Sequence, residues 1–379
     1  MTSRLVTPRL ALVFLAEFGA MTGFYLLLAT VPQYAASVGA GGIGAGFATG
    51  ALMLATVLCE LVTPWLLAAF GYRAMLAAGL LLLGLPALVL PATVRLAAIL
   101  AVCLVRGAGL AIMVVTPALV ADLVPPERLG EGMGIFGVVA TVPALLGLPL
   151  GTWLVSHAGY RAVFVAGALA PLAGLGAVPA LAPHARSPEP PVTLRATLRA
   201  PGVLRPSLIF FVTAMSAGVT VSFVPVAAVG RAAGAVSLAL FAHGGATAAI
   251  RWWAGVHVDR HGVGRILVPA ALVGAAGLLT LAGTSSPYLV VAGAGLVGAG
   301  FGAAQSDSIT TMLRCAPAAS GAVSALWNAS YDAGFAAGGA GFGLLAAGVG
   351  YPLAFVVAAF LVPAALGALA AAGPLLARA

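Results

Sequence analysis

Long apolar stretches alternate with short polar or glycine-rich breaks along the whole chain. Most stretches approach or exceed about 20 residues, the length that spans the hydrocarbon core of a bilayer. The pattern predicts an all-α membrane protein with twelve transmembrane helices, six in each half. The predicted spans are 9–31, 44–69, 74–91, 96–119, 130–154, 162–182, 207–228, 237–257, 266–282, 287–313, 321–347 and 352–372.

The second half of the chain repeats the first at a constant offset of 191 residues, the separation of Gly71 and Gly262. The same offset relates Gly107 to Gly298, Gly109 to Gly300, and Gly159-Tyr160 to Gly350-Tyr351. Internal repeats of this kind are typical of secondary transporters. We therefore expect two pseudo-symmetric six-helix bundles, 1–182 and 207–379, joined by a cytoplasmic linker over 183–206.

Composition and charge support a lipid environment and fix an orientation. The chain is 62% hydrophobic and 7% charged, whereas about a quarter of the residues in a soluble protein are charged. Its 17 basic residues are all arginine, so no GxxxxGK phosphate-binding loop exists and an ATP-driven pump is excluded in this chain. With a cytoplasmic N-terminus, only Arg95, Arg161 and Arg231 of the loop arginines fall outside. The positive-inside rule then places both termini in the cytoplasm, and the net charge of +8 reflects topology rather than nucleic-acid binding.

A few charged residues lie inside the predicted spans, where each needs a partner, water or a function. Arg106 in span 4 has a planar fork of donors that suits a carboxylate. Glu17 in span 1 is its candidate partner at comparable depth, and Glu60 in span 2 is a further acid. A carboxylate that leaves a fixed cation can exchange a proton. These three residues are therefore the candidate proton-coupling set, with a static buried ion pair as the alternative.

Polar and aromatic residues in spans 10 and 11 are candidates for a solute pathway. Asn328 and Asp332 lie four residues apart on one helix face, and the pathway set also includes Trp327, Tyr331, Gln305, Asp307 and Tyr25. Polar side chains also join transmembrane helices by hydrogen bonds, which is the competing interpretation.

The segment from Gly255 to Gly262, with Asp259 and Arg260, resembles the G-x-L-x-D-R-x-G signature of the major facilitator superfamily. Leu104 to Gly109 resembles the same family's span-4 motif, and Gly147 to Gly151 partly resembles its antiporter motif. The first-half counterpart of the Asp259 loop keeps only Gly71 and Arg73. The resemblance implies two bundles around a cavity open alternately to each side, and a gating loop formed by Gly255, Asp259, Arg260, Gly262 and Arg265.

The leading hypothesis is a proton-coupled exporter of a small, neutral or cationic lipophilic molecule in the inner membrane of a bacterial cell. Proton-coupled or facilitative uptake of a sugar or metabolite is the alternative. An intramembrane enzyme is excluded because HExxH, GxGD and GxSxG motifs are absent; a channel or a non-transporting sensor fits the repeat less well. The expected partners are the solute, protons and the lipid bilayer, with no cofactor, metal or nucleic acid, and the expected state is a monomer.

Overall fold

The computed structural model describes residues 7–125, 128–180, 200, 202–228, 230–316 and 320–371, and every regular element in these ranges is a helix. The helices are α1 (Pro8–Leu28), α2 (Thr30–Ala35), α3 (Gly41–Glu60), α4 (Thr63–Gly84), α5 (Leu96–Met113), α6 (Thr116–Leu123), α7 (Leu129–Gly174), α8 (Leu204–Ala227), α9 (Val236–His261), α10 (Leu267–Leu281), α11 (Pro287–Cys315), α12 (Ser320–Val349) and α13 (Tyr351–Ala371). Short 3₁₀ or π segments cover Ala36–Ala40, Leu85–Ala92, Leu175–Ala180 and Gly230–Ala235.

The described helices form nine continuous stretches that are long and apolar enough to cross a membrane. Two of these, Pro8–Glu60 with 53 residues and Glu131–Pro179 with 49 residues, have enough length for two crossings each. A shorter apolar helix covers Leu267–Leu281. The all-helical membrane fold is thus confirmed, and the described residues are consistent with twelve crossings.

Glycines with positive φ mark the turns, and they recur at the predicted offset. Gly71 has φ 71° and Gly262 has φ 94°, while Gly159 and Gly350 both have φ 78°. Residues with a Cβ rarely adopt this left-handed region. The repeat found in the sequence is therefore a repeat of backbone conformation.

Two helices of the first half break where the sequence predicted continuous spans. The predicted span 44–69 is interrupted at Leu61 and Val62, just before Pro64, and the span 96–119 is interrupted at Val114 and Val115, just before Pro117. Proline lacks the N–H for the helical hydrogen bond, and its ring clashes with the preceding turn. The apolar pattern alone does not record these breaks.

The chain separates into two compact units. Unit 1 comprises Met1–Val31 and Ala51–Glu189, and unit 2 comprises Pro32–Gly50 and Pro190–Ala379. Most of the predicted linker, 183–206, lies outside the described residues. The assignment of Pro32–Gly50 to unit 2 follows from close packing. A Cβ on Gly46 of α3 would collide with the backbone carbonyl of Gly339 in α12, and the Thr49 hydroxyl lies 2.7 Å from that of Ser222.

Candidate functional site

Arg106 is the most buried charge of unit 1, and backbone carbonyls hold it in place. It lies on α5 with no exposed surface. Its Nε donates to the carbonyl of Leu83 in α4 at 3.1 Å, and its Nη2 donates to the carbonyl of Gly23 in α1 at 3.0 Å. Its Nη1 is buried and has no hydrogen-bond partner. The guanidinium therefore links three helices of the unit, and both N–H groups of Nη1 remain unused.

Glu17 occupies a separate position in unit 1. It is 4% exposed on α1, its Oε2 has no hydrogen-bond partner, and its neighbouring polar side chain is Thr116 at the start of α6. Gly23, whose carbonyl accepts from Arg106, follows Glu17 by six residues on α1, which corresponds to about 9 Å of helical rise. Within the described residues no ion pair joins Glu17 to Arg106. Glu17 thus lies nearly two helical turns along α1 from the carbonyl that holds Arg106, and the two side chains have different polar neighbours.

The other two first-half candidates lie apart from these charges. Glu60 is the last residue of α3 and is half-buried. Tyr25 is half-buried on α1 and packs edge-on against Phe24, with the ring centroids 4.8 Å apart. Tyr25 belongs to unit 1, whereas the other pathway candidates all belong to unit 2.

Unit 2 contains a set of near-parallel aromatic rings, here called the aromatic stack: Phe210 of α8, Phe301 of α11, and Trp327 and Tyr331 of α12. Phe210 stacks on Trp327 with centroids 4.8 Å apart and planes 9° apart, and on Phe301 at 6.1 Å and 8°. Tyr331 lies 5.7 Å from Phe301 with planes 27° apart. The buried His243 of α9 continues the set, with its ring 6.4 Å from Phe301 at 14°.

Polar groups border the aromatic stack. Trp327 Nε1 donates to the hydroxyl of Ser308 at 2.9 Å, which fixes the indole plane. Gln305 is 8% exposed and its Oε1 has no hydrogen-bond partner. Asp332 is buried next to Tyr331, and Asn328 is half-buried. The structure thus brings Trp327 and Tyr331 to one cluster, and Gln305 lies on the face of α11 that also carries Phe301 and Ser308.

Asp307 is directed elsewhere. Its carboxylate accepts from the backbone N–H of Gly264 at 2.6 Å, from that of Ile266 at 3.1 Å, and from the Thr311 hydroxyl at 3.2 Å. Both oxygens are therefore occupied by the loop between α9 and α10 and by its own helix. The sequence pattern predicts a place for Asp307 in the solute pathway. In the structure its carboxylate instead anchors the loop between α9 and α10.

The predicted gating loop begins in the last turns of α9. Gly262 ends the helix in the left-handed region, and a Cβ at Gly255 would contact the Ser306 hydroxyl at 3.8 Å. Asp259 forms an exposed ion pair with Arg314 of α11 at 3.4 Å. Arg260 and Arg265 are exposed. A surface pair of this kind is weak, so it can break without a large energetic cost.

The sequence matches the family model described as Major Facilitator Superfamily over residues 13–226, which is more than half of the chain. The chain belongs to the major facilitator superfamily. No curated protein matches the sequence at a significant level. The peptide transporter POT has a TM-score of 0.76 at 16% identity, covering 97% of this chain and 95% of that one. The nucleoside transporter NupG has a TM-score of 0.73 at 14% identity, covering 96% and 99%. At these identities the likeness establishes the fold.

Three residues of the candidate site do not stand out in the sequence by residue type alone. Phe210 and Phe301 are apolar rings in apolar helices, and Thr116 is a hydroxyl of a kind common in transmembrane helices. One indicator was available for Phe210: it occupies the position that corresponds to Gly19 of the first half, where the repeat replaces the smallest residue with a large ring.

Proposed function

We propose that the protein is a secondary active transporter that exports a small, neutral or cationic lipophilic molecule in exchange for protons by alternating access. Glu17 carries the proton in this proposal. The observation that supports it most directly is a carboxylate buried within an apolar helix, with one oxygen unpartnered and no ion pair among the described residues. A buried anion without a partner is costly. Any step that changes the surroundings of Glu17 therefore also changes its affinity for a proton.

Arg106 has a positioning role in the proposal. Its bonds to the Gly23 and Leu83 carbonyls fix α1 against α4 and α5, and α1 also carries Glu17. Movement of α1 would break the Arg106–Gly23 bond and alter the burial of Glu17 together. Glu60, half-buried at the end of α3, is the second acid to test. The protein acts as a monomer in the inner membrane with both termini cytoplasmic, an orientation supported by the arginine asymmetry.

The test is a proton-flux assay in liposomes that contain a pH-sensitive dye, with a panel of lipophilic cations and neutral drugs added under an imposed pH gradient. We expect substrate-dependent proton movement in the direction of exchange. Glu17→Gln should abolish uphill transport while leaving solute binding measurable. Glu131→Gln is the matched control, because Glu131 is exposed and pairs with Arg128 at the surface; it should behave as the unmodified protein.

The sign of the proton movement separates export from the uptake alternative. Co-movement of solute and protons in one direction would replace exchange by symport. Unchanged uphill transport by Glu17→Gln would reject Glu17 as the carrier, and the same experiment with Glu60→Gln would then identify or dismiss the second acid.

A further inference from the structure

We infer that the aromatic stack of unit 2 binds planar aromatic solutes that carry a hydrogen-bond donor, with Trp327 and Tyr331 as the stacking surface and Gln305 as the acceptor. This inference deepens the proposed transport function and rests on it, since it names the class of solute that the pathway accepts.

The rings around Phe210 lie near-parallel to it, whereas Tyr331 also packs against the buried Phe335 at 5.3 Å with planes 50° apart. Phe210 makes interplanar angles of 8°, 9° and 20° with Phe301, Trp327 and Tyr331. A second cluster around Phe342 is tilted instead, with angles of 50° to Phe223 and 49° to Phe355. Tilted rings interlock and fill space, whereas parallel rings leave a flat π face at the end of the set. A planar solute can add to that face as one more member.

Exposure shows at which rings the set can be extended. Phe210 has no exposed surface and Phe301 is 5% exposed, so neither can take a further ring. Trp327 and Tyr331 are only half-buried. The bond from Trp327 Nε1 to Ser308 fixes the indole before any solute arrives. Binding therefore costs little ordering of this side chain, which favours affinity.

Gln305 supplies the polar part of the site. Phe301, Gln305 and Ser308 follow one another at spacings of four and three residues, so they share one face of α11. Phe301 contacts Tyr331 and Ser308 contacts Trp327, and Gln305 lies between them on the face that meets α12. Its Oε1 is buried without a partner. An unsatisfied buried acceptor is unfavourable, and a donor on a stacked solute would satisfy it.

Three neutral lactams of similar size separate the contribution of ring stacking from that of the hydrogen bond to Gln305. Carbostyril is planar and has one N–H, N-methylcarbostyril is planar without a donor, and octahydrocarbostyril keeps the N–H but is not planar. Binding to the full chain in nanodiscs is measured by calorimetry. We expect carbostyril to bind about tenfold more tightly than the octahydro compound, from stacking, and about fivefold more tightly than the N-methyl compound, from the hydrogen bond.

Variants assign each preference to its residue. Gln305→Leu should remove the difference between carbostyril and its N-methyl derivative, and Trp327→Leu should remove the preference for planar compounds. Trp327→Phe keeps a ring and should retain that preference. Phe342→Leu, which removes a ring from the tilted cluster, is the control and should retain both. Monodisperse elution of each variant shows that it is folded.

The inference is overturned if carbostyril does not bind, if all three lactams bind equally, or if Trp327→Leu keeps the planar preference. Proton-linked transport of non-planar solutes without any planar preference would overturn it while leaving the transport function intact. A planar preference in binding without solute flux would support the site and reject the transport function, so the two failures are distinguishable.

Discussion

Equivalent positions in the two units share one backbone device and differ in the chemistry placed around it. In unit 1 the Thr56 hydroxyl donates to the carbonyls of Leu52 and Gly107, at 3.0 and 3.1 Å. In unit 2 Thr247 makes the same bonds to His243 and Gly298, at 2.8 and 3.1 Å. Every one of these residues is related to its counterpart by the offset of 191. The helix-to-helix contact was therefore kept through the duplication.

The helices that make this contact differ between the units because two prolines of the first half are replaced by other residues in the second half. Pro64 corresponds to Gly255 and Pro117 to Ser308. Unit 1 accordingly has breaks at both places, whereas α9 and α11 run without interruption. The replacement of Pro117 also provides the hydroxyl that binds Trp327. A single proline thus decides both the continuity of a helix and the availability of a polar group.

Glu17 and Arg106 lie in one unit and the aromatic stack lies in the other. Glu17 corresponds to Leu208 and Arg106 to Val297, while Phe210 corresponds to Gly19. Unit 1 holds the buried Glu17 and Arg106, whereas unit 2 holds the aromatic stack together with the buried Asp307 and Asp332. The duplication preserved the scaffold, and we propose that unit 1 carries the proton chemistry while unit 2 provides the solute contact.

We expect the largest loss of stability from adding a side chain at Gly107 or Gly298, the glycines at the two equivalent helix contacts. A Cβ at Gly107 would collide with the carbonyl of Leu52, and a Cβ at Gly298 with that of His243. Because the colliding atoms belong to the backbone, they cannot move aside easily. Gly107→Ala and Gly298→Ala should each lower the free energy of unfolding by about 3 kcal/mol. Thermal unfolding in nanodiscs measures the effect. Gly134→Ala, at a helical glycine with open space around it, should be neutral or slightly stabilising; a large loss in one unit only would break the equivalence.

A second prediction compares the loss of stability on removing the Asp307 side chain with that on removing the hydroxyl of its counterpart, Thr116. Asp307→Ala removes an acceptor used by two backbone N–H groups and one hydroxyl, so we expect a loss of about 2 kcal/mol. Thr116→Ala removes a hydroxyl whose neighbouring polar side chain is Glu17 and should cost well under that. Chemical denaturation in detergent compares the two. Equal losses would show that Asp307 does not hold the loop between α9 and α10.

The family and the all-helical membrane fold were predictable because apolar runs and turn glycines are local features. Gly71 and Gly262 identify turns from their own sequence neighbourhoods, and both turns are present. The polar neighbour of Glu17 was not predictable. It is Thr116, which lies on another helix, directly after the break before Pro117. Asp307 illustrates the same limit. Its partners lie 41 and 43 residues away, and a polar patch in a helix gives no indication of which neighbour it faces.

We expect the smallest loss of stability from removing the hydroxyls of the equivalent threonines, Thr56 and Thr247. Thr56→Val and Thr247→Val keep side-chain shape and remove the hydroxyl, so each should cost about 1 kcal/mol, and somewhat less at Thr247, which is partly exposed. Thr280→Val is the control, because that hydroxyl bonds only within its own helix and should change stability by less. Because the two contacts share no partners, the losses should add in the double variant. A double variant no less stable than Thr56→Val alone would show that Thr247 contributes nothing, and the bonds repeated between the units would then be inherited geometry without energetic consequence.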